Sequence, residues 1–153
     1  SGIYGNFGQS NYGAAKAAMV GLMNVLHHEG AKNNIRVNTL APTAATRMLE
    51  GLIPPQVADL MAPELVTPGV LYLVSEDAPS KTILGAGAGC FSVVHIYETP
   101  AVFVGGANAT VDDVAANWAK ISNPANEQPI DAAFAQTNKF VAAAAEALGV
   151  KLG

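Results

Sequence analysis

Charge is scarce in this chain. Only 13% of its 153 residues are Asp, Glu, Lys or Arg, while 50% are hydrophobic. The formal net charge is −4, so no basic stripe is available to neutralise phosphates, which argues against nucleic acid as a partner. Cysteine is nearly absent. Cys90 stands alone, which excludes an internal disulfide and fits a reducing compartment. No apolar run approaches the length of a membrane-spanning helix. No metal set is visible: the adjacent His27 and His28 point to different faces of a helix, where capping of its end is a better use than chelation. His95 is isolated in a strand-like run and reads as structural. Asn108-Ala109-Thr110 fits a glycosylation sequon, but nothing else suggests secretion. The last four residues, Val150 to Gly153, are not a peroxisomal address. There is no initiator methionine and no leader pattern. The opening Ser1-Gly2-Ile3-Tyr4-Gly5 reads as a small-residue loop, as expected of a chain whose first half lies elsewhere.

What is present is an apolar chain that needs burial on several sides, as in an α/β layer structure, an oligomer interface, or both. Residues 10–29 read as a helix with Ser10 or Asn11 as N-cap and Gly30 as the stop. It is apolar almost all round (Ala18, Met19, Val20, Leu22, Met23, Val25, Leu26), so both sides should be buried, one against a sheet and the other against a second subunit. Ile35 to Leu40 reads as a strand ending at Ala41-Pro42, and helix plus parallel strand is half of a βαβ crossover. Ligands in such sheets lie beyond the carboxyl ends of strands, which makes Pro42 to Met48 a candidate ligand loop. Residues 50–62, broken by Pro54-Pro55, read as a surface loop or a substrate lid. A Thr67 cap and Pro68 open a helix from Gly69 to about Ser75. Residues 82–98 and 101–104 read as strands of a hairpin about Thr99-Pro100. Thr110 to Asp113 caps a helix reaching about Ile121, with Trp118 in the core. After a linker to Pro129, residues 130–148 form a final helix ended by Gly149.

Two features carry chemistry or imitate it. Gly85-Ala86-Gly87-Ala88-Gly89 looks like a phosphate loop, but it lacks the required spacing and a following helix. It reads as a place where backbones approach closely. Tyr12 and Lys16 are four residues apart in the first helix. Four residues advance about 6 Å and return to nearly the same face, so both heads can enter one site. A lysine beside a tyrosine favours the phenolate, which is what a tyrosine needs to act as a base. The spacing alone is a weak motif. The crowding glycines Gly5, Gly8 and Gly13, and the small residues Ala14, Ala15, Ala17 and Ala18, give it weight.

Gly8-Gln9-x-Asn11-Tyr12-x-x-x-Lys16, the alanine-rich helix after it, and Asn34-Ile35-Arg36-Val37-Asn38 leading to Pro42 together resemble the short-chain dehydrogenase/reductase family. Gly5 to Gln9, His28-Glu29-Gly30, Ala41 to Met48, Pro63-Glu64-x-Val66-x-Pro68 and Ala116-Asn117-Trp118 are similar to the (3R)-hydroxyacyl-CoA dehydrogenase unit of the peroxisomal multifunctional enzymes and their bacterial stand-alone relatives. The resemblance implies the C-terminal half of a doubly wound parallel-sheet (Rossmann) domain in residues 1–90 and a mixed α/β extension in 91–153, a hairpin plus two helices. It implies NAD as cofactor, NADP staying open, an acyl-CoA thioester as substrate, a homodimer through helix 10–29, and a cytoplasmic or peroxisomal location. Tyr12 would be the general base. Lys16 would favour its phenolate and hold the nicotinamide ribose, and Pro42, Thr43, Ala44, Ala45 and Thr46 would line the nicotinamide and diphosphate. Thr43 departs from the glycine usual after that proline. The family's catalytic serine would fall just before Ser1, and its glycine-rich fingerprint would also lie outside the chain. The alternatives are an NADPH-dependent 3-oxoacyl-thioester reductase of the same family, and a non-catalytic fragment or dimerisation module.

Overall fold

The computed structural model describes residues 1–47 and 51–152. They form two compact units, Ser1–Val94 and His95–Gly153.

The first unit is built around a three-stranded sheet of order β1-β2-β3, with β1 Thr39–Thr43, β2 Ile83–Gly87 and β3 Cys90–Val94. β1 and β2 are parallel, pairing Thr39 with Ile83 through to Thr43 with Gly87. β2 and β3 are antiparallel, pairing Ile83 with Val94 and Gly87 with Cys90. β2 is flanked on both sides, so its residues Ile83, Leu84 and Ala86 are buried. Removing a large aliphatic side chain such as Ile83 from water contributes roughly 1.5–3 kcal/mol.

The first strand is shifted from its expected place. Residues 35–38 lie outside the regular ladder: the Val37 carbonyl still accepts from the Lys81 N–H at 2.8 Å, but side chains take the bonds on either side of it. Val37 N–H donates to Ser80 Oγ at 3.0 Å. Asn38 Oδ1 accepts from Thr82 N–H at 3.1 Å, and Asn38 Nδ2 donates to the Pro79 carbonyl at 2.7 Å. The regular ladder begins at Thr39 and runs through Pro42 to Thr43. A proline without an N–H is tolerated there because β1 has a neighbour on one side only.

Helix α1 spans Ser10–Gly30. Its N-cap position is Gln9, not Ser10 or Asn11. The Asn11 side chain instead takes up the Tyr12 N–H from inside the first turn, at 2.8 Å. Gly30 is not the stop either. A 3-10 turn, Ala31–Asn33, follows, and Asn34 adopts the left-handed conformation with φ 54°. The Ile35 N–H bonds to the Gly30 carbonyl and the Asn34 N–H to the Ala31 carbonyl, both at 3.1 Å, which is the paired closure of a Schellman end. Gly30 is needed for closeness: a Cβ there would lie 2.9 Å from Ile35 Cβ. His27, expected at the helix end as a cap, reaches across to Ser80 instead, Nδ1 to Oγ 2.8 Å.

The expectation that α1 is buried on both sides is not met within this chain. Met23 is 3% exposed, while Met19, Leu22, Val25 and Leu26 form an exposed apolar stripe. Further on, Pro54 precedes a short helix α2, Pro55–Leu60, with proline in the first turn where no N–H is needed. Helix α3 is Thr67–Leu73, so Thr67 begins the helix and does not cap it. Its Gly69 lets it close on the sheet, since a Cβ there would meet Phe91 at 2.8 Å and Leu84 at 3.0 Å.

The hairpin lies within the first unit. The turn is Ala88-Gly89, both with positive φ (51° and 71°), joining β2 to β3. Thr99-Pro100 turns no hairpin and 101–104 form no strand.

In the second unit, β4 Tyr97–Glu98 pairs antiparallel with β5 Gln128–Pro129. Helix α4, Val111–Ile121, opens with the expected capping box. Asp113 N–H donates to Thr110 Oγ1 at 3.2 Å, and Thr110 N–H donates to Asp113 Oδ2 at 2.9 Å. Trp118, expected in the core, is 60% exposed. Helix α5, Ala133–Leu148, starts later than expected and ends at a left-handed Gly149 as expected. Lys139 of α5 binds Glu98 at 2.6 Å and the Thr99 carbonyl at 2.9 Å, and Gln136 also donates to Glu98 at 2.6 Å.

Candidate active site

The first turns of α1 carry Tyr12 and Lys16 on one face. Lys16 Nζ stands 5.3 Å from the centroid of the Tyr12 ring, within the range of a cation–π contact. The segment before the helix folds back on this turn. A Cβ on Gly2 would lie 2.5 Å from the Ala17 amide nitrogen, so only glycine allows the chain to cross there.

Between α1, the carboxyl end of β1 and the β2–β3 hairpin is a cleft of about 920 Å³. Tyr12, Lys16, Pro42 and Thr43 all line it. Four residues separated by up to 31 positions in sequence are therefore brought to one place, at the strand end where ligands of parallel sheets bind. Ala44, Ala45 and Thr46 are not among the residues that line the cleft. Ala45 is fixed by its N–H, which donates to the Met61 carbonyl at 2.7 Å. Met48, the last residue of the candidate loop, lies outside the described residues, as does residue 50 at the start of the candidate lid.

The cleft has the volume of a small-molecule or cofactor site. Its side-chain donors include the Tyr12 hydroxyl, the Lys16 ammonium and the Thr43 hydroxyl beside those of Ser1, Tyr4, Asn38 and Ser92, and Pro42 and Met23 add apolar wall. That set fits the nicotinamide–ribose end of a dinucleotide: hydroxyls to be hydrogen-bonded and a flat ring to be packed. The glycine-rich run is strand and turn, and its backbones do approach closely. A Cβ on Gly87 would lie 2.8 Å from the Thr43 carbonyl oxygen. Met61 and Gly87 both line the cleft. Met61 falls in the segment 50–62 read as loop or lid, without being singled out. Gly87 was legible only as a point of close approach, without its partner.

The short chain dehydrogenase family model matches residues 1–55. This segment belongs to the short-chain dehydrogenase family. It holds Tyr12, Lys16, Pro42 and Thr43. The chain is 46% identical over 128 residues to a short-chain type dehydrogenase/reductase of Mycobacterium tuberculosis, covering 80% of this chain and 43% of that protein. It is 42% identical over 129 residues to mouse peroxisomal multifunctional enzyme type 2, covering 82% of this chain and 18% of the other. The solved full-length peroxisomal multifunctional enzyme type 2 of Drosophila melanogaster matches with a TM-score of 0.82 at 30% identity, over 97% of this chain and 27% of that one. The chain thus spans less than half the length of these relatives. The likeness confirms the α/β class and identifies the β1–β2 parallel pair as part of a Rossmann-type domain.

Among the described residues no helix is long and apolar enough to cross a membrane.

Proposed function

We propose that the protein carrying this chain oxidises (3R)-hydroxyacyl-CoA to 3-oxoacyl-CoA with NAD. The observation that supports this most is the Tyr12–Lys16 pair lining the same cleft as Pro42 and Thr43, within the segment shared with the short-chain dehydrogenases. The family uses nicotinamide dinucleotides, and relatives over most of this chain are named as peroxisomal multifunctional enzymes.

NAD, when bound, accepts the hydride from the carbinol carbon. The work of this chain is on the proton. The Tyr12 oxygen takes the proton of the substrate hydroxyl as the C–H bond breaks, so that the carbinol becomes a carbonyl. The Lys16 ammonium supplies donors for the ribose hydroxyls. Pro42 and Thr43 hold the nicotinamide side from the end of β1. The rest of the catalytic set comes from outside residues 1–153. Met19 and Leu22 line the cleft, and the exposed Val25 and Leu26 further along α1 support a homodimer through this helix.

The test is the full-length protein with a (3R)-3-hydroxyacyl-CoA and NAD, followed by formation of reduced cofactor. The (3S) epimer and NADP serve as the other arms. Reduction of NAD with the (3R) substrate alone is expected. A strict preference for NADP with the 3-oxo thioester would assign the protein to the reductase direction instead.

A further inference from the structure

We infer that Gly87 is a positioning residue for the dinucleotide, because its missing side chain fixes where Thr43 stands at the wall of the cleft. This rests on the dehydrogenase reading and adds to it a residue far from the Tyr12–Lys16 turn in sequence.

Thr43 and Gly87 are partners in the last rung of the β1–β2 ladder. A Cβ on Gly87 would lie 2.8 Å from the Thr43 carbonyl oxygen and 3.1 Å from Thr43 Cβ. A carbonyl oxygen cannot rotate aside as a side-chain tip can, so any side chain at 87 must push the end of β1 away. The next fixed point along the chain is the Ala45 N–H on the Met61 carbonyl. The short run from Thr43 to Ala45 is therefore held at one end by Gly87 and at the other by Met61. It is the run that enters the cofactor loop.

Gly85 provides the internal comparison. It lies two residues earlier on the same pleat face of β2, and a Cβ there would come within 2.9 Å of Ser92 Oγ. That atom is a hydroxyl, which can swing away. Neither glycine has a positive φ, so alanine is conformationally acceptable at both. The two positions look alike in sequence and both line the cleft, yet only at Gly87 would a Cβ collide with backbone; at Gly85 the nearest backbone atom, the Ser92 carbonyl oxygen, is at an ordinary 3.6 Å.

The experiment compares Gly87→Ala with Gly85→Ala in the full-length protein. Three quantities are measured: the Kd for NAD, the KM values for NAD and acyl substrate, and amide hydrogen exchange at residues 43–46 without cofactor. Gly87→Ala is expected to raise the Kd and KM for NAD about tenfold, since small misplacements of positioning groups carry such penalties. The KM for the acyl substrate should stay unchanged, and exchange at 43–46 should quicken. Gly85→Ala should keep its NAD affinity within about twofold, as its contact relaxes by side-chain rotation. Wild-type affinity and exchange in a folded Gly87→Ala would overturn the inference. Should Gly87→Ala fail to fold, the double variant Thr43→Gly/Gly87→Ala gives the strand end freedom to fold around the methyl group. Thr43→Gly alone, which loses the same hydroxyl, is the baseline: NAD affinity of the double variant should fall below it, and affinity equal to it would also overturn the inference. If the unmutated protein binds no dinucleotide, the dehydrogenase reading falls. The positioning claim is then decided by exchange at 43–46 alone.

Discussion

The Lys16 ammonium lies over the face of the Tyr12 ring, 5.3 Å from its centroid, one helical turn further along α1. This phenol and ammonium, lining one cleft, are the pair proposed above for proton transfer, and removing the phenol's oxygen tests that role. Tyr12→Phe keeps the ring and the cation–π contact. It should lower kcat by at least about 10²-fold, the usual worth of a positioned acid–base group, while NAD still binds. Stopped-flow turnover and a cofactor titration on the same sample check both halves, and retained turnover would sink the assignment.

Asn38 holds the loop before β2 with both ends of its carboxamide, accepting from Thr82 N–H and donating to the Pro79 carbonyl. Asn38→Ala leaves both backbone groups without a partner. The expected loss is about 2–4 kcal/mol, from two groups at about 1–2 each. Denaturant unfolding reads it directly, and a change below about 0.5 kcal/mol, the level of a neutral surface substitution, would show that water replaces the side chain.

Gly30→Ala tests the Schellman end of α1. Alanine is the better helix former by about 1 kcal/mol, so propensity alone predicts stabilisation. The Cβ, however, would lie 2.9 Å from Ile35 Cβ and 3.1 Å from the Ile35 carbonyl. Overpacking of this kind costs about 1–3 kcal/mol, so a net lowering of the melting temperature is expected. A rise would mean that Ile35 moves freely.

The second unit should lose stability in acid through two carboxylates. The Thr110 hydroxyl, and then the Thr110 N–H, hold the Asp113 carboxyl below its usual range. Hydrogen bonds from Lys139 and then Gln136 do the same for Glu98. A depressed folded-state pKa contributes stability that is present above the unfolded value, near 3.9 for Asp and 4.3 for Glu, and lost as pH falls through the folded value. Melting temperatures taken from about pH 6 down to about pH 2 should fall on the acid side. Asp113→Asn with Glu98→Gln should flatten that limb, and an unchanged slope would refute the assignment to these two groups.

The parts of the fold legible in sequence were those decided by neighbouring residues. Thr110 and Asp113 announce α4 because a capping box needs only three positions. Gly149 ends α5 because glycine enters the left-handed region without strain. The misplacements arose where distant residues decide. Gly30 resembles a stop, yet its smallness serves Ile35, and Asn34 makes the turn. Ile35 to Asn38 has strand composition, yet Ser80 and Asn38 side chains replace the ladder. The hairpin turn has Ala88 at positive φ, where turn rules would favour Asn or Gly, so the turn is weakly marked in the sequence, whereas Thr99-Pro100 breaks two strand-like runs. For the candidate site, the Tyr12–Lys16 turn and Pro42–Thr43 could be read from motif and strand end. Gly87, and Met61 beyond its place in the segment 50–62, could not, because their contacts exist only across the cleft.

Ser80 has a consequence for how α1 is attached to the sheet. Its hydroxyl is a rotor with one hydrogen and two lone pairs. One lone pair is committed to the Val37 N–H. The remainder can give its hydrogen to an unprotonated His27 Nδ1, or turn and accept a hydrogen from a protonated one, at the same 2.8 Å separation. The link from the last turn of the helix to the strand therefore survives either tautomer of the imidazole, and the end of α1 opposite Tyr12 stays joined to the sheet in both.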